Sequence, residues 1–413
     1  MRAMLTALLP VSALLVGAVL LLGGVGILNT LLSLRGGLEG FSTSVIGLIT
    51  ACYFAGYLVG TWIVPRIIAR VGHVRGFAFF GGIAATVSLL HLLFISPWVW
   101  ALLRVVFGVA MIGLYSILEG WLSVAAVREQ RGRVFSAYMF LNFMALAAAQ
   151  ALFLVAPISG FTLFVLASIL ISLAQSPVVL TRLPQPLISG PSLYPVRALL
   201  AIAPLGAVGA ALSGVATAAV WGLVPLMVQQ QGKPVAAVAQ VMITIILAGA
   251  LAQIPVGHMS DRFDRRYVVF GLTLLAALSG LALGLLLQGS AALVWLLPAL
   301  AGLGAAGFCV YPVCVSLTND FLRPDEIVSA ASTLLMLHGM GAVAGPLLGG
   351  ALMQALGPPG LALHFLLTWG LLALYAAWRC FVAARPLRQR RDGIFSMLRT
   401  SPVVLDLLED DLT

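Results

Sequence analysis

The sequence predicts an all-α membrane protein, with twelve transmembrane helices arranged as two pseudo-symmetric six-helix bundles. Three observations carry that expectation. The 413 residues are 62% hydrophobic and only 8% charged. A soluble domain carries about 25% charged residues, so no soluble fold of this length covers its surface, whereas a bilayer accepts it. The positive charges gather in alternate connections between the apolar segments, and so on one side of them. The two halves of the chain repeat.

The charge pattern sets the topology. Of the 22 Lys+Arg, Arg35 and Lys233 fall in predicted outward loops, and Arg104 lies inside an apolar segment. The rest sit at the N-terminus, in alternate connections, in a central linker and in the C-terminal tail. Arg66, Arg70 and Arg75 form one cluster, Arg128, Arg131 and Arg133 a second, and Arg262, Arg265 and Arg266 a third. Cationic loops stay cytoplasmic during insertion, so the pattern places an even number of spans with both termini inside. The net charge of +9 caps helix ends on one membrane face, which argues against a nucleic-acid partner. A single lysine among so many arginines suggests a GC-rich bacterial genome, hence the bacterial inner membrane. Cys52, Cys309, Cys314 and Cys380 all lie in apolar runs, so neither a disulfide framework nor a metal site is expected.

One crossing needs about 20 apolar residues. Turn signals and charges place spans near 8–34, 43–68, 77–95, 98–124, 134–155 and 160–182, then 198–228, 234–258, 267–287, 291–318, 328–356 and 359–384. The first run is too long for the apolar core of a signal peptide and lacks a clear cleavage site. The linker, 183–197, contains Pro184, Pro186, Pro191 and Pro195, which cannot continue a helix. It separates an N-terminal bundle, 1–182, from a C-terminal one, 198–384. The tail, 385–413, is first basic and then acidic; 394–408 reads either as unstructured or as a short interfacial helix.

A shift of 192 residues lays Pro65–Gly72 over Gly257–Asp264, and a shift of 196 lays Gly108 over Gly304, Tyr115 over Tyr311 and Asn142 over His338. Parallel six-helix repeats of this kind are related by an axis along the membrane normal and hold a substrate near mid-membrane. Gly257 to Arg266, between spans eight and nine, resembles the G-x-x-x-D-R-x-G-R-R signature of the major facilitator superfamily. Gly257, Asp261, Arg262, Arg265 and Arg266 match it, and Asp264 stands where the family has Gly. The first-half copy has Pro65 for the leading Gly and Ala69 for the Asp, and keeps Arg70, Gly72 and Arg75. The chain is similar to that superfamily over nearly its whole length, and within it to a bacterial, YcaD-like branch of carriers.

The resemblance implies a secondary transporter working by alternating access, with the signature acting as a cytoplasmic latch. Asp261 would cap a helix or pair with an arginine, while Arg262 and Arg266 would reach helix C-terminal carbonyls. Arg70 is the surviving first-half counterpart. Arg265 reads as a membrane-face anchor only. Arg104-x-x-x-Gly108 is similar to a family pattern associated with proton coupling. Gly341-x-x-x-Gly345-Pro346-x-x-Gly349-Gly350 resembles the family's antiporter motif, displaced from span five to the pseudo-symmetric span eleven. Its small residues predict close helix approach, and Pro346 a bend.

Polar groups inside spans are costly unless used. Arg104, Tyr115 and Glu119 share one face of span four, within about 60°, with Arg104 and Glu119 ~22 Å apart. They read as a stripe facing a central cavity, with Arg104 and Glu119 as proton-coupling groups. The alternative is that Arg104 snorkels outward and Glu119 pairs with an inner-loop arginine. His338 reads either as a cavity group that titrates near neutrality or as a packing residue; His91 and His364 read as packing residues. Asn29, Asn142, Tyr115, Trp221, Tyr311 and His338 are the candidate substrate-binding residues. Gln150 and Gln253 would bind substrate or join helices.

The sequence contains no P-loop, no H-E-x-x-H and no G-x-S-x-G, so neither an ATP motor nor an enzyme is expected, and no cofactor. The sparse charge of the spans favours a neutral, amphipathic or weakly charged small molecule, with export preferred to uptake and a monomer as the working unit. The alternatives are a transporter-like receptor that only binds, a lipid scramblase and a membrane-embedded enzyme. Cysteines introduced near Glu39, Ser96, Lys233 or Pro358 are expected to react with an impermeant thiol reagent from outside the cell, and those near Arg131, Ser189 or Asp325 to be protected. Outside labelling of the second group would invert the topology.

Overall fold

The computed structural model describes residues 11–125, 131–180, 193–289 and 292–381. Among them, twelve helices are long and apolar enough to cross a membrane. They are α1 (Ser12–Leu38), α2 (Thr43–Val71), α3 (His73–Leu93), α4 (Pro97–Ala125), α5 (Arg131–Ala151), α6 (Thr162–Val179), α7 (Pro204–Gln230), α8 (Val235–Arg262), α9 (Arg265–Leu287), α10 (Leu293–Asn319), α11 (Ile327–Leu356) and α12 (Pro358–Phe381). Most of the proline linker, the tail 385–413 and Arg128 lie outside the described residues.

The helices differ from the sequence expectation mainly at their ends. The seventh span was expected from residue 198. Instead a short helix, Val196–Ile202, stops at Ala203, and α7 opens with Pro204 in its first turn. Proline lacks the N–H that would continue the earlier helix, but suits a first turn. Pro65, Pro177, Pro225, Pro255, Pro298, Pro312 and Pro346 lie inside helices, as membrane helices tolerate. Six hydroxyls within the spans turn back on their own helices. Thr50, Ser88, Thr217, Thr273, Thr318 and Ser332 each donate to the carbonyl four residues earlier, at 2.7–3.0 Å, so each donor is satisfied without water.

The described residues form two compact units, one of 11–32 and 52–180, the other of 33–51 and 193–381. In the first, Gly24 of α1 faces the Ala167 carbonyl and Ile171 of α6, Gly26 faces Ala149 of α5, and α3 packs on α4 and α6. A methyl group at Gly108 of α4 would collide with the Tyr53 carbonyl of α2, and one at Gly56 with the Val105 carbonyl. In the second unit α7 packs on α11, α8 on α10 and α9 on α12. There a methyl group at Gly304 of α10 would collide with the Ile245 carbonyl of α8. The aligned glycines Gly108 and Gly304 thus bring the same two helices of each repeat into backbone contact, the close approach that small residues allow. The second unit also holds the α1–α2 turn. Ser33 Oγ donates to the Gly222 carbonyl, Gln229 Nε2 to the Leu34 carbonyl at 3.1 Å, and the Thr43 N–H to Gln354 Oε1 at 2.8 Å.

The repeats diverge at the signature turns. Between α2 and α3, Gly72 has φ 80, a conformation that L side chains avoid. At the aligned position between α8 and α9, Asp264 has φ −59 and accepts from the Arg266 N–H at 2.9 Å. The residue that departs from the family signature is therefore the N-cap of α9. Its carboxylate also takes Arg266 Nη2 at 2.7 Å. Asp264→Ala is expected to destabilise the protein by about 1 kcal/mol, and Asp264→Gly by only a few tenths, read as thermal unfolding in detergent. An alanine variant that melts with the wild type would show that the cap contributes nothing.

Candidate functional site

In the first unit the polar residues of α4 meet α1, α2 and α5. Arg104 is 4% exposed and Glu119 1%. Arg104 donates Nη2 to Asn29 Oδ1 of α1 at 2.8 Å. Its guanidinium lies 4.3 Å from the centre of the Tyr53 ring and 5.4 Å from that of Phe107. It does not snorkel; it is enclosed, and its Nη1 has no hydrogen-bond partner among the described residues. From Tyr53 the aromatic lining continues to Tyr57, at 6.4 Å, and on to Tyr115, at 6.3 Å.

Farther along α4, Glu119 Oε1 accepts from the Tyr138 hydroxyl of α5 at 3.2 Å. Asn142, one turn along α5, lies beside the same tyrosine, and its Oδ1 lacks a partner among the described residues. No described arginine pairs with Glu119; Arg128 and the side chain of Arg131 lie outside the description. An enclosed ion costs several kcal/mol. A cation–π contact returns about 2 kcal/mol when desolvated and one hydrogen bond to a charged group about 1.5–3 kcal/mol. Arg104 is thus held by its neighbours but not neutralised by them. Gln150 has a structural part: its Oε1 accepts from Thr30 at 3.0 Å and its Nε2 donates to the Gly26 carbonyl at 3.3 Å, joining α5 to α1.

In the second unit His338 meets Tyr311, and Trp221 meets Phe308. His338 Nδ1 lies 3.1 Å from Ser213 Oγ and 3.3 Å from the Ala210 carbonyl. Its ring sits 4.6 Å from that of Tyr311. Trp221 stacks on Phe308 at 5.7 Å. These contacts rest on the glycine face of α11. Methyl groups at Gly341 and Gly345 would collide with the Ala211 and Val215 carbonyls of α7, and one at Gly214 with the His338 carbonyl. A methyl group at Gly350 would come within 3.2 Å of Gly47 Cα, and Pro346 is buried in the same seam. His364 Nε2 lies 3.3 Å from the Val215 carbonyl, and His91 Nδ1 2.7 Å from the Val87 carbonyl. Gln253 is buried with Nε2 lacking a partner among the described residues.

The signature turn distributes its charges differently from the sequence expectation. Asp261 is half exposed and lies 3.4 Å from Arg265; Arg262 is exposed. Arg265, expected to be a membrane-face anchor, is instead buried. It donates Nε to Ser260 Oγ at 3.1 Å and pairs through Nη1 with Asp320 at the end of α10. Arg266 serves the Asp264 cap. Arg70 is exposed at the end of α2. Burial pushes the Asp320 carboxyl up from its ordinary value, while Arg265 pulls it down. Asp320, Tyr138 and Tyr53 were not singled out from the sequence. Tyr138 and Asn142 are four apart on α5, a spacing that marks one helix face; Asp320 had no comparable signal.

The comparisons agree with this architecture. The family model described as Major Facilitator Superfamily matches residues 206–408. The MFS-type transporter YcaD of Salmonella typhimurium is 30% identical over 349 residues, 84% of this chain and 89% of that protein. The chain belongs to the major facilitator superfamily. Solved superfamily structures share its fold at low identity. A bacterial homologue of the human lysosomal transporter Spinster, inward-facing and unoccupied, aligns with TM-score 0.74 at 14% identity over 92% of this chain and 98% of its own. The nucleoside transporter NupG aligns with TM-score 0.71 at 14% identity, over 91% of this chain and 100% of its own. A D-xylose–proton symporter aligns with TM-score 0.67 at 15% identity, over 93% and 98%.

For this superfamily member, the glycine seam of α11 gives a direct test. Gly345→Leu is expected to abolish transport and to cost about 1–3 kcal/mol of stability through overpacking, because no rotamer moves its Cβ off the Val215 carbonyl. A Gly345→Leu protein that unfolds and transports like the wild type would contradict the backbone contact.

Proposed function

We propose that the protein is a proton-coupled secondary transporter of the bacterial inner membrane. It moves a small neutral, amphipathic or weakly charged molecule by alternating access, in the export direction, with both termini cytoplasmic. Glu119 is the proton-coupling residue. The observation that carries this reading is the enclosed Glu119–Tyr138 pair, which lacks a cation among the described residues. An enclosed carboxylate without a counter-ion is costly, so loading a proton lowers the cost of closing the site and releasing it favours reopening to water. Tyr138 holds the carboxyl in place with a neutral hydrogen bond.

The remaining candidates take parts consistent with their positions. Asn29, Tyr115 and Asn142 in the first unit, and Trp221, Tyr311 and His338 in the second, contribute to substrate contact. Arg104 sets the field felt at Glu119, and His338 is the alternative proton group. Arg70, Asp261, Arg262 and Arg266 form the cytoplasmic latch, to which the Arg265–Asp320 pair adds the buried member. Gly341, Gly345 and Pro346 let α11 shift against α7 without losing contact. The small-molecule substrate and the proton are the partners, and the working unit is a monomer.

In proteoliposomes, Glu119→Gln is expected to retain substrate exchange and to lose accumulation driven by a pH gradient. Accumulation by Glu119→Gln at the wild-type rate would remove the proton from Glu119.

A further inference from the structure

The one arginine enclosed among the first unit's described helices has an open donor and no acid to meet it. The titratable groups that face Arg104 are Tyr53, Cys52 and His91, none of them a carboxylate. The ion pairs among the described residues lie elsewhere. Nη2 is taken by Asn29, and the guanidinium faces Tyr53 and Phe107. Nη1 is buried and has no hydrogen-bond partner among the described residues. Arg66, Arg70, Arg75 and Arg133, the unit's other described cations, are exposed. The place therefore offers one positive charge, one planar donor and a surround of aromatic carbon.

That set of groups selects a ligand. A buried guanidinium is best completed by a planar oxyanion, which accepts a charge-assisted hydrogen bond at about 2.7–2.9 Å. One cation and one open nitrogen suit a single negative charge and leave a second one unpaired. Tyr53, Phe54, Tyr57 and Phe107 supply ring surface beside the charge, which favours an apolar body over a hydrated one. Asn29, Cys52, Phe54 and Tyr57 are partly exposed, so the guanidinium is approached past these side chains.

We propose that Arg104 binds the carboxylate of an amphipathic organic monoanion, Nη1 taking the carboxylate while Asn29 keeps Nη2. That this ligand is the cargo rests on the transporter reading; the binding does not. Within the weakly charged substrates of that reading, it singles out monocarboxylates with an aryl or alkyl body.

Cys52 reports occupancy, because it is half-buried beside the guanidinium while Cys309, Cys314 and Cys380 are buried. The experiment measures how 4-phenylbutyrate and its uncharged amide slow maleimide labelling of Cys52 in purified protein, with the labelled site assigned by peptide mass spectrometry. The acid is expected to protect at a concentration about tenfold lower than the amide. Arg104→Gln is expected to bring the acid to the amide's value, and Arg104→Lys to keep part of the preference. The wild-type acid–amide comparison needs no variant to fold. Equal protection by acid and amide would overturn the proposal. So would an acid preference that survives in Arg104→Gln, or an absence of both protection and thermal stabilisation with 4-phenylbutyrate, octanoate and indole-3-acetate alike. Protection by chloride or phosphate that matches the acid's would assign the site to small inorganic anions and overturn the organic body. No gradient is applied, so a negative result removes the anion site and leaves the Glu119 reading to the accumulation assay.

Discussion

A guanidinium and a carboxyl are enclosed on one helix, α4, too far apart to neutralise each other and without an ion partner among the described residues. Much of the first unit's interior is arranged around that constraint. Gly56 and Gly108 bring α2 against α4, which puts Tyr53 over Arg104 and Tyr57 beside Tyr115. Asn29 from α1 and Tyr138 from α5 each supply one hydrogen bond. These contacts hold the charged groups without cancelling them. A purely structural polar group is better served by full satisfaction, as Gln150 is by Thr30 and the Gly26 carbonyl.

The second unit meets the same solvent problem with neutral chemistry. His338, aligned with Asn142 of the first repeat, is joined to Ser213 and a carbonyl. A buried ion pair lies at the signature turn, where Arg265 and Asp320 pair at the end of the helices. The repeats thus share a helix-packing device, the glycines at 108 and 304, while their polar contents diverge. That division suits a carrier in which one half supplies the titrating group and the other supplies shape. It also explains the signature's departure: Asp264 caps α9 where the first repeat uses the left-handed Gly72.

Much of the fold was legible in the sequence because membrane helices are specified by length, apolarity and the sidedness of arginine, all of them one-dimensional signals. The break at Ala203 was missed because an apolar run hides a proline that starts a new helix. The candidate site was legible in part. Arg104 and Glu119 stood out as charges inside an apolar helix, and the glycine run of α11 as a packing face. Their partners did not stand out: Tyr53 and Tyr138 are ordinary aromatic residues until α2 and α5 place them beside a charge. Arg265 was misassigned because one basic residue in a basic cluster gives no hint of which one turns inward. Asp320, 55 residues away, decides it.

The central claim is that Glu119 exchanges its proton inside a helix bundle whose described residues offer it no cation. Infrared difference spectroscopy on purified protein across a pH titration reads this directly, without a known substrate. The account predicts a carboxyl C=O band that titrates in the wild type and is missing in Glu119→Gln. The same titrating bands in both proteins would contradict it.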